Sequence, residues 1–330
     1  MTTATAPDRP VVRPHGLGPK LRVGTRPSPL ALTQTRGFMA LLRQLCPVLR
    51  DFDAFSEHQI RTTGDAVQDR RLAEIGGKGL FAKEIHEALL DGRIDFAVHS
   101  LKDLETELPQ GIALAATLRR EDPRDALILH DPIPVDPTHP FAILARGARV
   151  GTASLRRQAQ LLHARPDLIV EILRGNVQTR LDRLAAGVAD ATLLAMAGLR
   201  RLGLTPPGMV PLDPAVMVPA AGQGIIGITV RAVDTELTEL LAALADPAAT
   251  AEATAERAML AALDGSCHTP IGAHARLTPD GTLTLTGLLA RGDGTYLNRR
   301  SLSGRAADAA RLGATLGAAL RAEAPADLRR

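Results

Sequence analysis

The 330-residue chain has no tryptophan and one tyrosine, and aromatic residues make up only 2% of it. Single-stranded nucleic acid is usually held by aromatic side chains set among basic ones. No basic block interleaved with aromatics occurs here, so no nucleic-acid partner is expected. No run of 18 or more apolar residues occurs either, which argues against a membrane-spanning helix. Cysteine is as scarce: Cys46 and Cys267 are the whole complement. The first 20 residues, MTTATAPDRPVVRPHGLGPK, lack the apolar core of a secretory signal and are rich in Pro and Gly. We expect residues 1–20 to be a disordered tail and the compartment to be the reducing cytoplasm. No CxxC or HxxxH spacing occurs, and His268 and His274 lack sequence partners, so no metal site is expected.

Lysine is rare as well. Only Lys20, Lys78, Lys83 and Lys102 occur among 39 basic residues, and the other 35 are arginines. Arg-rich and Ala-rich codon usage accounts for much of that bias. The remainder fits a protein that grips carboxylates or phosphates, which the guanidinium fork binds bidentately. The rest of the composition is ordinary for a soluble enzyme of two or three domains: 45% hydrophobic, 23% charged, net charge +3.

LRVGT (21–25) reads as a buried strand, followed by a helix over 28–45 with Ser28 as cap and Pro29 in the first turn. Leu30, Phe38, Leu41, Leu42 and Leu45 form its apolar stripe. QIRTTGD (59–65) reads as a strand, AEIGGKGL (73–80) as a glycine-rich loop, 80–92 as a helix and 94–103 as a strand entering a polar turn. Strand–turn–helix units recur at 149–165, 169–187 and 190–204, and 225–230 is an isolated strand after a Pro-rich stretch. This rhythm implies a parallel, helix-covered sheet. From about 247 an Ala-rich helix, three strands and a closing helix form a small α+β unit. No internal repeat is apparent.

Three middle turns share one chemistry. GTASLRR places Thr152 and Ser154 before a helix opening with Arg156 and Arg157. LRGNVQTR puts Arg174 at a strand end and Arg180 in the next helix, and AGLRR adds Arg200 and Arg201. Helix N-termini attract anions, and open parallel sheets bind ligands along the C-terminal strand edge. GTRPSPL puts Arg26 and Ser28 in a similar turn. GGKG lacks the spacing of a nucleotide phosphate loop and reads as a mobile, glycine-hinged lid carrying Lys78. VHSLKD ends a buried strand in Lys102 and Asp103, a carboxylate suited to acid/base work or to stabilising a cation. Cys267, among small and polar residues, is either a nucleophile or a covalent attachment point. The residues alone leave open a non-enzymatic two-lobed anion-binding protein and a cysteine-dependent acyl transferase, although no base for the latter is identifiable.

GTRPSPLAL, GGKGLFAKE, DFAVHSLKD, REDPRDA, GTASLRRQAQL, LRGNVQTRLDRL, LAMAGLRRLGL, GQGIIGI and GSCHTPIGA follow one another over roughly 21–320. In this order they resemble the hydroxymethylbilane synthase (porphobilinogen deaminase) family of tetrapyrrole and heme biosynthesis. The resemblance implies an α/β fold of three domains: two lobes like type II periplasmic binding proteins, and a small α+β C-terminal domain. The implied domains are 21–118 with 225–243, 124–218, and 247–324, with crossings near 119–124 and 219–224. It implies a monomeric transferase that condenses four porphobilinogen molecules head to tail, with loss of ammonia, onto a dipyrromethane cofactor. Hydrolysis then releases the linear tetrapyrrole. By the same resemblance Cys267 carries that cofactor through a thioether, and Asp103 stabilises cations developing on the pyrrole nitrogens. Lys102, Asp103, Thr152, Ser154, Arg156, Arg157, Arg180 and Arg201 would hold the cofactor, and Arg26, Ser28, Arg174 and Arg180 the substrate. Two residues depart from the expected pattern: Ser266 where Gly is expected before the cysteine, and Glu105 where proline is expected.

Overall fold

The computed structural model describes residues 20–50, 53–66, 79–263 and 269–328. Lys78, Ser266 and Cys267, and all but the last residue of the expected tail, lie outside the described residues.

The chain begins with β1 (Leu21–Thr25), α1 (Pro29–Leu45), β2 (Phe55–Gln59), α2 (Thr63–Ala66), α3 (Lys83–Leu90), β3 (Phe96–Ser100) and β4 (Ile112–Thr117). It continues with β5 (Asp125–Leu129), β6 (Arg149–Gly151), α4 (Leu155–Ala164), β7 (Ile169–Glu171), α5 (Val177–Ala185), β8 (Ala191–Ala195), α6 (Met196–Arg201) and β9 (Met209–Pro211). It then returns through β10 (Ile226–Arg231), α7 (Thr235–Ala242) and α8 (Pro247–Ala262). β11 (Ile271–Leu277), β12 (Thr282–Ala290), β13 (Leu297–Arg305) and α9 (Ala309–Glu323) follow.

The first sheet has the order β2-β1-β3-β10-β4 and the second β7-β6-β8-β5-β9. β1, β2 and β3 run parallel, as do β6, β7 and β8. In each sheet the fourth strand, β10 or β5, runs antiparallel to both neighbours. The two lobes therefore share one topology, which the sequence did not reveal as a repeat. β10 reaches the first sheet only after the chain has built the second, so the lobes are joined by two crossings.

Local chemistry sets these elements. Ser28 Oγ accepts from Ala31 N at 3.3 Å and Pro29 pre-sets the first turn of α1. α1 buries Ala31, Gln34, Thr35, Phe38, Met39 and Leu42, whereas Leu41 and Leu45 are exposed, so the buried stripe is turned from the expected one. The expected strand over 59–65 is displaced: β2 pairs with β1 from Leu21↔Phe55 to Thr25↔Gln59. Beyond it Asp65 accepts from the backbone and hydroxyl of Thr62, and such local bonds compete with a strand ladder and favour the turn of α2.

The third unit stacks α8 and α9 on the antiparallel sheet β11-β12-β13, around Met259, Leu283, Leu285, Leu316 and Leu320. Small residues let the helices approach closely. A Cβ on Gly313 would lie 2.2 Å from the Ala255 carbonyl. At the crossings Arg120 donates to Glu256 Oε1 (2.7 Å), Glu252 Oε2 (3.3 Å) and the Gln223 carbonyl (2.9 Å), pinning α8 to both connections. Glu256 is fully buried and also accepts from Gly222 N and Ala275 N.

Candidate active site

β3 ends in a 3₁₀ turn, Leu101–Asp103, which lifts Lys102 and Asp103 off the sheet toward the second lobe. Asp103 keeps 29% of its side chain exposed and lies 3.6 Å from Arg26 Nη1. Arg26 is oriented by Asp65, to which its Nε donates at 3.2 Å, and its guanidinium lies 4.1 Å above the Phe81 ring. Burial opposes ionisation of Asp65, but Arg26 outweighs it and holds that carboxyl below its ordinary range. Ser28, the cap of α1, follows in the same turn.

From the second lobe Arg180 projects from α5, with Nε bonded to the Gly175 carbonyl at 2.9 Å. Burial pushes its guanidinium down to about 10; Arg157 and Arg174 add to the fall and Asp103 opposes it. Lys102 is accessible from the space between the lobes but surrounded by protein. That crowding lowers its ammonium to about 8, with Asp103 pulling up and Arg157 pulling down. Its Nζ reaches Gln223 Oε1 at 3.3 Å. Among the described residues neither Lys102 nor Arg180 forms a salt bridge, although both sit within the field of Asp103.

Other residues anticipated from the sequence fall nearby with different partners. Thr152 is buried, and its hydroxyl accepts from Ser154 N at 3.2 Å. Ser154 caps α4 by accepting from Arg157 N. Arg156 and Arg157, expected to hold cofactor carboxylates, are bonded to a carboxylate of the protein itself. Arg156 Nη1 donates to Asp125 Oδ2 at 2.7 Å and to the Val218 carbonyl at 2.6 Å. Arg157 gives Nη2 to Asp125 Oδ1 (2.7 Å) and Nη1 to the Leu193 carbonyl (2.7 Å). Arg174 is buried at the loop after β7. Arg201 lies in the last turn of α6, not at a helix N-terminus, and crosses to the first lobe, donating from Nη1 to Gln34 Oε1 at 2.8 Å. Cys267 and Lys78 lie outside the described residues.

Asp125, Gln223 and Gln34 were not anticipated as site residues. Asp125 is fully buried; burial opposes its charge, but Arg156 and Arg157 hold it ionised and well below the usual range. Gln223 donates to Asp125 Oδ1 at 2.9 Å and to the Pro123 carbonyl at 2.7 Å while accepting from Lys102. The signals were there: a carboxylate heading the apolar strand DALIL, and a glutamine on the buried face of α1.

Family models now decide the assignment. The model described as "Porphobilinogen deaminase, dipyromethane cofactor binding domain" matches residues 21–239, and "Porphobilinogen deaminase, C-terminal domain" matches 250–322. The chain belongs to the porphobilinogen deaminase family. It is 48% identical to the porphobilinogen deaminase of Sorangium cellulosum (strain So ce56) over 309 residues, covering 92% of this chain and 98% of that one. It is 51% identical to that of Caulobacter sp. (strain K31) over 313 residues, covering 92% and 96%. Solved structures that match, such as the periplasmic VFT2 domain of BvgS from Bordetella pertussis, are too distant to bear on the reaction (19% identity, 68% of this chain and 85% of that one, TM-score 0.39). As a member of this family the chain is a transferase, a hydroxymethylbilane synthase acting on porphobilinogen with a dipyrromethane cofactor.

The residues present fit that cofactor. A dipyrromethane carries four carboxylate arms, and the structure sets Lys102 and Arg180, without carboxylate partners of their own among the described residues, within the field of the half-buried Asp103.

Proposed function

We propose that Asp103 is the catalytic carboxylate and Cys267 the thioether anchor of the dipyrromethane. The observation that carries the reading of Asp103 is the convergence of Lys102, Arg26 and Arg180 on it from both lobes, and that of Cys267 is supported by the family match alone. When bound, the cofactor supplies a nucleophilic pyrrole carbon and the fixed end of the growing chain. Asp103 accepts the pyrrole N–H and stabilises positive charge on the ring nitrogen as it develops. Arg26, held by Asp65 through Nε and Nη2, fixes the orientation of Asp103 and offers Nη1 to a substrate carboxylate. Lys102 and Arg180, with Ser28, Thr152, Ser154, Arg174 and Arg201, hold the remaining arms. Asp125 takes most of the hydrogen bonds of Arg156 and Arg157 and neutralises one of their two charges. Their proposed part in arm binding is therefore the field of the net charge left over. Lys78, outside the described residues, keeps the mobile-loop role that the family resemblance implies.

Residues 21–118 with 225–243, 124–218 and 247–324 are read as the three domains, a division supported by the three sheets. No helix of the described residues is long and apolar enough to cross a membrane. A free thiol at Cys46 supports a reducing cytoplasm, and we take the working unit to be a monomer.

The test is single-turnover ammonia release by an Asp103→Asn variant. Loss of a preorganised group facing a developing charge lowers rates by about 10²–10³. A variant within tenfold of the parent would remove Asp103 from the role.

A further inference from the structure

Glu105 stands where proline was expected, and no step above uses it. Its side chain is 9% exposed and lies 3.8 Å from Nδ1 of His86, which is 3% exposed. A Cβ on Gly79 would come within 1.9 Å of Glu105 Oε1, so the carboxylate fills the space that only glycine leaves open there. Both ring nitrogens of His86, together with Glu105 Oε2 and Glu84 Oε2, are buried without a hydrogen-bond partner among the described residues. Buried polar atoms without a partner are uncommon, and three of these four belong to one facing pair.

The cluster joins elements that build the site. Gly79 opens the turn into α3, accepting from Ala82 N and Lys83 N; His86 lies on α3; Glu105 follows Asp103 by two residues. Arg257 of α8 donates to the Glu105 and Thr106 carbonyls at 2.7 and 2.8 Å, clamping the backbone on the other side. The chain is braced after Glu105, so a pull across the 3.8 Å gap to His86, longer than a hydrogen bond by about 1 Å, is taken up on the Asp103 side.

We propose that His86 and Glu105 are a positioning pair for Asp103: a proton taken from water by His86 draws Glu105 into a charge-assisted hydrogen bond and shifts the turn that carries Asp103. This rests on the reading of Asp103 as catalytic. The groups facing the pair are His99 on β3, whose ring centroid is 5.9 Å from that of His86, and Arg257 on α8, with Arg26 acting on His99 from beyond β1. Burial, with help from His86 and Arg26, keeps His99 neutral down to about 3. Burial also lowers the pKa of His86 below its ordinary value while Glu105 pulls it back up. At neutral pH the pair is therefore open, and it closes on the acid side of the ordinary histidine range.

The experiment records kcat and KM against pH for the holoenzyme and its Glu105→Gln and His86→Gln variants, with the imidazole ¹⁵N signals of His86 followed over the same range. In the parent the acid fall in kcat tracks the His86 titration. In Glu105→Gln that titration moves to lower pH and the kcat fall moves with it, with KM changed by less than about twofold. A His86 titration that does not move, or a kcat profile that ignores its movement, overturns the proposal. Glu105→Gln carries the test even where His86→Gln does not fold. An unmoved titration beside an inactive Asp103→Asn variant removes this pair alone, whereas an active Asp103→Asn variant removes the reading beneath it.

Discussion

Arg157 and Asp125 are joined twice: Nε at 3.1 Å and Nη2 at 2.7 Å both reach Asp125 Oδ1, in a site where neither side chain sees solvent to any extent. With Arg156 on the other oxygen, this one carboxylate fixes the first turn of α4 against β5. Removing one partner of a buried pair leaves uncompensated charge behind and costs about 3–5 kcal/mol. Asp125→Ala should lower unfolding stability by that amount in a urea titration of the full chain. A loss below about 1 kcal/mol, the range of a surface pair, would contradict the burial argument.

Lys102 gives the site a pH limit on the alkaline side. Its pKa, lowered to about 8, means the ammonium is lost as pH rises through 8, and with it one grip on the carboxylate arms. KM for porphobilinogen should therefore rise above pH 8 in the parent. Lys102→Arg, which stays charged to far higher pH, should hold KM flat across that range. An identical alkaline rise in both proteins would assign it to another group. The same lowering also makes the folded state hold fewer protons than the unfolded one between about 8 and 10.5, so this group favours folding as pH rises through that window.

His99 and His274 act in the same direction, in a lower pH window. Burial lowers His99 to about 3 and His274 to about 4, from an ordinary 6.5. Below pH 6.5 the unfolded chain takes protons that the folded chain refuses, so stability falls as pH drops toward 4. Each such group contributes a slope approaching about 1.4 kcal/mol per pH unit in that window. His99→Asn, measured by urea midpoints from pH 7 to 4, should show a flatter decline than the parent.

Arg201 and Gln34 span the lobes, and Gln34 also exchanges hydrogen bonds with Ser100 at 3.2 Å. A hydrogen bond to a charged donor is worth about 1.5–3 kcal/mol. Gln34→Ala should loosen the lobes and increase the radius of gyration in small-angle scattering of the ligand-free protein. An unchanged radius would mean that the crossings alone, through Arg120 and Glu256, set the lobe spacing.

Much of this was legible in the sequence, for definite reasons. The periods of the strand–turn–helix units, the cap Ser28 and the texture change near 247 are local signals, and the α/β class with its small third unit follows from them. The shared topology of the lobes was not legible, because it resides in which strand crosses where, and β10 and β5 come from opposite ends of the connection. Among site residues, Asp103 and the basic turns announce themselves as polar groups at strand edges. What each arginine touches is a long-range matter: Arg156 and Arg157 meet Asp125 some 30 positions away (separations of 31 and 32), and Arg201 meets Gln34 across 167. Glu105 was visible as a departure, but its partner His86 lies on another element, 3.8 Å away only in the folded chain.

The account turns on Cys267 as the anchor of the cofactor, and the most direct measurement is the intact mass of the purified chain beside a Cys267→Ser variant, each before and after incubation with porphobilinogen. We expect the parent to carry an added mass of two linked pyrrole units, present at purification or acquired on incubation, and the variant to carry none. A parent that stays bare after incubation, or a variant that carries the same adduct, would contradict it.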